Sequence, residues 1–320
     1  MNTIRTSPTQ TDEALPSWAE GNAKQSILNF VDAVTGEGNE FVPIAERIAV
    51  TDNDGTLWGE QPMYVQFVFV RDRVMELVLH NPEWRQKECF KAILDDDVEA
   101  FVAAGDKGLL DVLKEFGETT EEYAQAVMDW LATARHPTTG LRYTEMIYQP
   151  MLELLDYLRT HGFTIYIISG GGIEFMRPWT ESIYSIPPEQ VVGSSVKTEF
   201  VDREGVPVLV RLPEVSFVDD GPGKPVGINQ HTGRRPIAAF GNSDGDKEML
   251  EWTTAGNGRR FGLLVHHTDG DREWDYDNKE TTTEGVGELS PETLNEAGEK
   301  GWTVVDMKSD WTAVYPPGKR

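Results

Sequence analysis

Three observations predict an α/β fold, a doubly wound and mostly parallel sheet interrupted by an α-helical insertion. Short apolar runs at 47–51, 163–168 and 237–240 stop abruptly at acids, glycines or hydroxyl residues, as buried parallel strands do where they hand the chain to a loop. From residue 140 onward such runs alternate with helical periodicity. Between 59 and 137 the periodicity is helical only.

A chain of 320 residues can bury one large core, or one core and a smaller accessory domain. Cys89 is the only cysteine, which excludes intramolecular disulfides and any multi-cysteine zinc site. With 54 acids against 29 bases the net charge is −25, the opposite of what a nucleic-acid partner requires. The same field repels anions at long range, so any phosphate site must carry its own cations. No apolar run approaches the about eighteen residues of a membrane-spanning helix, so no membrane partner is expected. Residues 1–16 are polar, lack a basic start followed by an apolar run, and read as a disordered tail rather than a signal peptide. The expected location is soluble, either cytoplasmic or exported by a leader that the sequence does not carry.

The elements follow in order. Ile27, Leu28, Phe30, Val31 and Val34 predict a lead-in helix over 17–34, ahead of the strand at 47–51. Met63, Phe67, Val70, Val74, Leu77 and Val78 recur every three or four positions, a helix over 63–79 with one buried face. Further helical patterns cover 84–94, 98–104, 109–116 and 121–133. The run His136-Pro137-Thr138-Thr139-Gly140 ends the insertion as a hinge or linker. A helix over 148–161, stopped by Gly162, leads into the strand at 163–168 and the turn Ser169-Gly170-Gly171-Gly172. The runs 196–201 and 206–212 flank Asp202-Arg203-Glu204-Gly205 as a β-hairpin, and strands at 237–240 and 261–265 complete the alternation.

Ligand sites in open α/β sheets lie beyond the carboxyl ends of strands. The run Asp52-Asn53-Asp54-Gly55 stands there, although it is also good turn chemistry. So does Gly241-Asn242-Ser243-Asp244-Gly245-Asp246. A calcium loop of the EF-hand type is excluded for the latter, because Lys247 stands where glycine is needed and the closing glutamate is missing. His266 and His267, adjacent on a strand, point to opposite faces and read as structural.

The order Asp52-x-Asp54-Gly55-Thr56-Leu57, Ile167-Ile168-Ser169-Gly170-Gly171, Lys224 and Gly241-Asn242-Ser243-Asp244-Gly245-Asp246 resembles the four motifs of the haloacid dehalogenase-like hydrolases, with the later part most similar to the phosphoserine phosphatase-like branch. The resemblance implies a Rossmann-like core at 17–60 and 140–320 with a helical cap at 61–139. It implies a Mg²⁺-dependent phosphomonoesterase acting on a small phosphorylated metabolite. In that reading Asp52 is the nucleophile that forms an aspartyl-phosphate, and Asp54 protonates the leaving group and then activates water. Ser169, Gly170 and Gly171 hold the phosphoryl oxygens, and Lys224 offsets the charge. The metal is assigned to Asp52, Asp54, Asn242 and Asp246, with Asp244 as an additional acid.

Asn242 departs from the family's pattern, which has aspartate there. A neutral amide oxygen is the poorer ligand for a hard cation, so Asn242→Asp is expected to tighten Mg²⁺ binding. Trp58 and Glu60 after the first motif, and Glu174, Phe175 and Arg177 after the second, are pocket-lining candidates by proximity alone. Of the rival readings, a haloacid dehalogenase needs no leaving-group acid at Asp54. A phosphonate hydrolase wants a cap lysine, and Lys87, Lys91, Lys107 and Lys114 offer no particular context. A catalytically weak binding or regulatory protein is motivated by Asn242 alone.

Overall fold

The computed structural model describes residues 14–95, 97, 100, 112, 116 and 118–318. The expected tail at 1–13, the helix expected at 98–104, most of that expected at 109–116, and Lys107 and Lys114 lie outside these residues. Leu15, assigned to the tail from sequence, is buried at 2 % exposure.

Among the described residues seven strands form one sheet: β1 (Ile48–Thr51), β2 (Thr164–Gly172), β3 (Val191–Arg203), β4 (Val206–Phe217), β5 (Ala238–Gly241), β6 (Phe261–His266) and β7 (Thr303–Asp306). Their spatial order is β4-β3-β2-β1-β5-β6-β7, and every pairing is parallel except β3 with β4. The strand order reverses at β1, which lies between β2 and β5. Thr51 stands level with Ile167 on one side and Phe240 on the other. Asp52, the Ser169 region and the turn after Gly241 therefore leave the sheet at one height, which is the switch-point geometry of a ligand site.

All four residues of β1 are buried. Ile48 and Val50 face a core with Ile168, Val192, Ile228, Met249, Leu250, Leu264 and Ala297. That face is covered by α6 (Gly223–Thr232), α7 (Lys247–Thr254) and α8 (Pro291–Lys300), counted after α1 (Asn22–Thr35), α2 (Val65–Leu77), α3 (Glu88–Leu94), α4 (Thr120–Thr133) and α5 (Gln149–Thr160). Ala49 faces the larger core, with Ile27, Phe30, Val31 and Val34 of α1 and Met151, Leu154, Leu155 and Leu158 of α5. The one-in, one-out alternation of a strand explains why a four-residue apolar run serves two helical layers.

The structure moves several boundaries. The lead-in helix starts at Asn22 rather than Ser17, because Ser17 binds the Glu153 carboxylate through both its N–H and its hydroxyl, and Trp18 bridges to Trp311. β2 continues through Gly172, with a register shift between Ser169 and Gly172 where a turn was expected. The hairpin is far longer than 196–212. The first residues of β3 are buried beside β2, whereas the outer half is exposed and reaches Thr119 at the start of α4 through Val210. Strand β7 had no sequence expectation. Among the described residues of 61–139 the regular elements are helical: α2, α3, α4 and a 3-10 turn at Pro82–Gln86. Among the described residues no helix is long and apolar enough to cross a membrane.

Leu264 in β6 is fully buried in the core behind the sheet and does not line the cavity at the strand ends. Leu264→Ala is expected to lower unfolding free energy by about 2–5 kcal/mol in a urea titration while leaving the activity per folded molecule unchanged. A loss under about 1 kcal/mol would contradict the packing described here.

Candidate active site

The turn after β1 is built by Asn53, whose backbone carbonyl accepts from the N–H groups of Thr56 and Leu57. Gly55 sits in that turn at φ 72°, where a Cβ would fall 2.1 Å from the side chains of Asn242 and Glu60. Only glycine fits both the dihedral and the space. The turn sets Asp52 and Asp54 on the rim of one cavity of about 100 Å³, lined also by Glu60, Tyr64, Gln66, Phe67, Ser169, Gly170, Gly171, Asp220, Lys224 and Ser243. Two larger surface grooves, of about 880 and 830 Å³, are lined by none of the site residues that the sequence singles out.

Lys224, in the first turn of α6, is 2 % exposed. Its Nζ donates to Asp52 Oδ1 at 2.8 Å and to Asp246 Oδ1 at 2.6 Å. Burial opposes its charge, but Asp246, Asp52 and Asp220 outweigh that and hold the ammonium well above the ordinary lysine range. Asp246 is wholly buried, and its second oxygen accepts from the backbone N–H groups of Asn242 and Ser243 and from the Ser243 hydroxyl. Both its oxygens are therefore engaged away from the cavity, which it does not line. Asp246, expected from sequence to ligate the metal, here clamps Lys224 and closes the turn.

Asn242 is likewise committed. Its Oδ1 accepts from the Thr56 hydroxyl at 2.9 Å, and its Nδ2 donates to Glu60 Oε1 at 2.8 Å. Asp244 accepts from the backbone N–H of Ser290 and faces away from the cavity. Glu60, a proximity candidate, does line the cavity and is 2 % exposed. Trp58 does not line it. Its ring is fully buried and stacks on Trp179 at 4.5 Å, and its Nε1 donates to Asp54 Oδ1 at 2.8 Å. Phe175 packs in the core against Phe69, Arg177 binds the Pro188 and Val191 carbonyls, and Glu174 does not line the cavity. Those three proximity assignments fall away.

Burial raises the carboxyl groups of Asp52, Asp54 and Glu60 above their ordinary range. For Asp52 the pull of Lys224 works against that rise, and for Asp54 the Trp58 hydrogen bond does. The shift at Asp54 favours the protonated carboxyl over the carboxylate, with burial as its first cause. Ser169 is buried, and its Oγ accepts from the Gly171 N–H at 3.1 Å, which leaves the hydroxyl proton to donate. The displaced register beyond Ser169 takes Gly170 and Gly171 out of the β2–β3 ladder and onto the cavity wall.

Gln66 of α2 was invisible in sequence, being a polar residue on the buried face of a helix. It is 4 % exposed; its Oε1 accepts from the Gly172 N–H at 2.6 Å, its amide lies against the buried Tyr123 hydroxyl, and the side chain lines the cavity. Asp220 had a signal, since it precedes Lys224 by four residues in an acid–glycine loop. Behind the site His267 acts as a strut. Its Nε2 lies 2.7 Å from the Gly55 carbonyl and its Nδ1 3.0 Å from Glu273 Oε2, while Tyr148 donates to Glu273 Oε1. His266 turns the other way, to Asp277, as alternation along a strand requires.

The site also tests whether a divalent cation fits. Four carboxylates line the cavity, from Asp52, Asp54, Glu60 and Asp220, against one lysine. Among the described residues no group of three or more His, Cys, Asp or Glu side chains is arranged to hold a metal ion by itself. Magnesium commonly takes only one or two carboxylates and completes its octahedron with waters and substrate oxygens, so the residues present fit it.

No family model matches the sequence, and neither does any curated protein. A functionally unknown protein from Anaerococcus prevotii DSM 20548 superposes with a TM-score of 0.50 at 16 % identity, covering 80 % of this chain and 89 % of that one. A protein of unknown function from Bordetella pertussis Tohama I gives a TM-score of 0.48 at 14 % identity, over 82 % and 99 %. A phosphoserine phosphohydrolase-like protein from Francisella tularensis subsp. tularensis SCHU S4 gives 0.37 at 15 % identity, over 68 % and 87 %. Likeness at these identities bears on the fold alone, which is a Rossmann-like, mostly parallel α/β sheet with helices on both faces.

Asp219, fully buried beside α6, has its carboxyl pushed up by burial to about 7 from an ordinary 3.8. The native state thus holds this proton more tightly than the unfolded state. Its contribution to stability is complete below about pH 4 and is lost as pH rises through about 7. Across that window Asp219→Asn should gain on the wild-type chain by up to about 4 kcal/mol in urea titrations. A stability difference that does not change with pH would rule out the buried, protonated Asp219.

Proposed function

We propose that the chain is a phosphohydrolase that cleaves small phosphate monoesters through an aspartyl-phosphate on Asp52. The observation that carries this reading is the Lys224 bridge to Asp52 at 2.8 Å, with the Asp54 carboxyl beside it raised by burial and held by Trp58. Asp52 attacks phosphorus while Asp54 gives its proton to the departing ester oxygen. Asp54, now a carboxylate, takes a proton from water, which attacks the phosphoryl group and frees Asp52 and inorganic phosphate. Ser169 Oγ and the backbone of Gly170 and Gly171 receive the non-bridging oxygens, and the Lys224 charge works against burial in favour of the ionised Asp52 that attacks.

Magnesium, when bound, supplies charge that neutralises the phosphoryl oxygens facing Asp52. Asp52 and the backbone carbonyl of Asp54 are the proposed holders on the first motif. We take 61–139 as a cap, since α2 brings Tyr64, Gln66 and Phe67 onto the cavity wall from that segment. A cavity of about 100 Å³ favours a small transferred group over a large, deeply enclosed ligand. An acid at Asp54 is superfluous to a dehalogenase, so the cavity favours phosphate esters over haloacids.

Asp52→Asn is expected to abolish turnover, by about 10⁴-fold or more, together with trapping of the phosphate analogue BeF₃⁻. Asp54→Asn distinguishes the two carboxyl roles. It should cripple hydrolysis of an alkyl phosphate, whose leaving oxygen needs a proton. The first step should be largely spared with p-nitrophenyl phosphate, whose leaving group does not, giving a burst of nitrophenol followed by slow turnover. Normal steady-state activity in Asp52→Asn, or equal damage to both substrate types in Asp54→Asn, would overturn the assignment.

A further inference from the structure

Glu60 is the buried acid that the proposed chemistry leaves without work. It is 2 % exposed, and its Oε1 occupies a cradle between two glycines in the left-handed region. A Cβ on Gly55, at φ 72°, would fall 2.1 Å from that oxygen, and one on Gly287, at φ 64°, 2.0 Å from it. Substitution at either glycine would evict the carboxylate.

The only hydrogen-bond donor the described residues give the Glu60 carboxylate is the neutral Nδ2 of Asn242, at 2.8 Å. Its charged neighbours are Asp54, Asp52 and Glu273, all acids. A carboxylate buried in such company is costly unless it takes up a proton or a cation joins it, and only the cation leaves both its oxygens free to accept. Lys224 is already spent on Asp52 and Asp246. Asn242 is less well placed than Glu60 to ligate, because its amide oxygen accepts from the Thr56 hydroxyl and, unlike Glu60, it does not line the cavity.

We propose that Glu60 is the second side-chain carboxylate of the divalent-cation site, paired with Asp52, and that Asn242 is the positioning residue that aims it. The acid and the amide have exchanged places between the loop after β1 and the turn after β5. Two carboxylates and a backbone carbonyl, completed by waters and substrate, are a sufficient protein set for magnesium. The exchange also reverses the sequence expectation for position 242. Asn242→Asp alone sets a second carboxylate 2.8 Å from the Glu60 carboxylate, so it should loosen the site through like-charge repulsion instead of tightening it.

This inference rests on the phosphohydrolase reading, and direct titration of the full chain with Mn²⁺ by electron paramagnetic resonance separates the two. The wild-type chain should bind one Mn²⁺, and Glu60→Gln should weaken that binding by about tenfold or more. Asn242→Ala should weaken it less. The double exchange Glu60→Gln/Asn242→Asp should recover most of the loss, which a merely structural role for Glu60 would not produce. If Glu60→Gln fails to fold by circular dichroism, the Asn242→Ala and Asn242→Asp titrations decide, and unchanged affinity in both overturns the proposal. Wild-type affinity in Glu60→Gln, or a double exchange no tighter than that variant, overturns it while leaving the phosphohydrolase reading intact. A wild-type chain that takes up no Mn²⁺ overturns the proposal and the magnesium requirement together.

Discussion

The site depends on one buried ammonium. Lys224 joins Asp52, at the end of β1, to Asp246, in the turn after β5, and does so from the first turn of α6. Three separate elements therefore meet on a single charge that is 2 % exposed. Buried ion pairs contribute little net stability when complete, but removing one partner strands a charge in a medium that cannot solvate it. In a chain of net charge −25 that asymmetry is sharp, because no spare cation lines the cavity. The same bridge couples fold and chemistry, since misplacing α6 would release the Asp52 carboxylate.

Around that bridge the protein fixes its acids through partners that do not touch the cavity. Trp58, stacked on Trp179, sets the Asp54 carboxylate through Nε1. His267 and Glu273 hold the Gly55 carbonyl from behind, and Tyr148 secures Glu273 in turn. Asp246 belongs with this supporting layer, which is why its two oxygens face Lys224 and the backbone of the turn. Each of these contacts restricts a rotamer or a dihedral at the rim, and in phosphoryl transfer positioning counts for most of the catalysis.

The parts legible in the sequence were those whose signal is local. Strands β1, β2 and β5 announced themselves because an apolar run ends at a polar loop, and Asp52, Asp54, Ser169 and Lys224 come together on the cavity because parallel register brings those ends level. Strand β7 has only four residues, Thr303 to Asp306, and its place is set by pairing with β6 rather than by a pattern of its own. The outer half of the β3–β4 hairpin was legible at 196–212, whereas the start of β3 at Val191 is set by its parallel pairing with β2. Gln66 and Asp220 reach the cavity through tertiary placement, and Trp58 left it for the same reason. The contact of Asp246 with Lys224 was not legible, because a carboxylate in a loop reads the same whether it meets a metal or an ammonium.

The balance of charge also orders events at the site. An excess of carboxylates attracts a divalent cation and repels a phosphate dianion, and Lys224 cannot reverse this while Asp52 and Asp246 hold it. On the proposed reading, a cation beside Asp52 and Glu60 is what turns an anion-repelling cavity into one that accepts a phosphate. Substrate affinity then depends on cation occupancy through linkage, each raising the affinity for the other by the same factor. Placing the second acid on Glu60, two residues past Trp58, puts it on the loop whose far side Gly55 and His267 already fix. The acid pair of Asp52 and Asp54 and the proposed pair of Asp52 and Glu60 are thus held by one turn, so a single rigid loop sets both the proton donor and the cation.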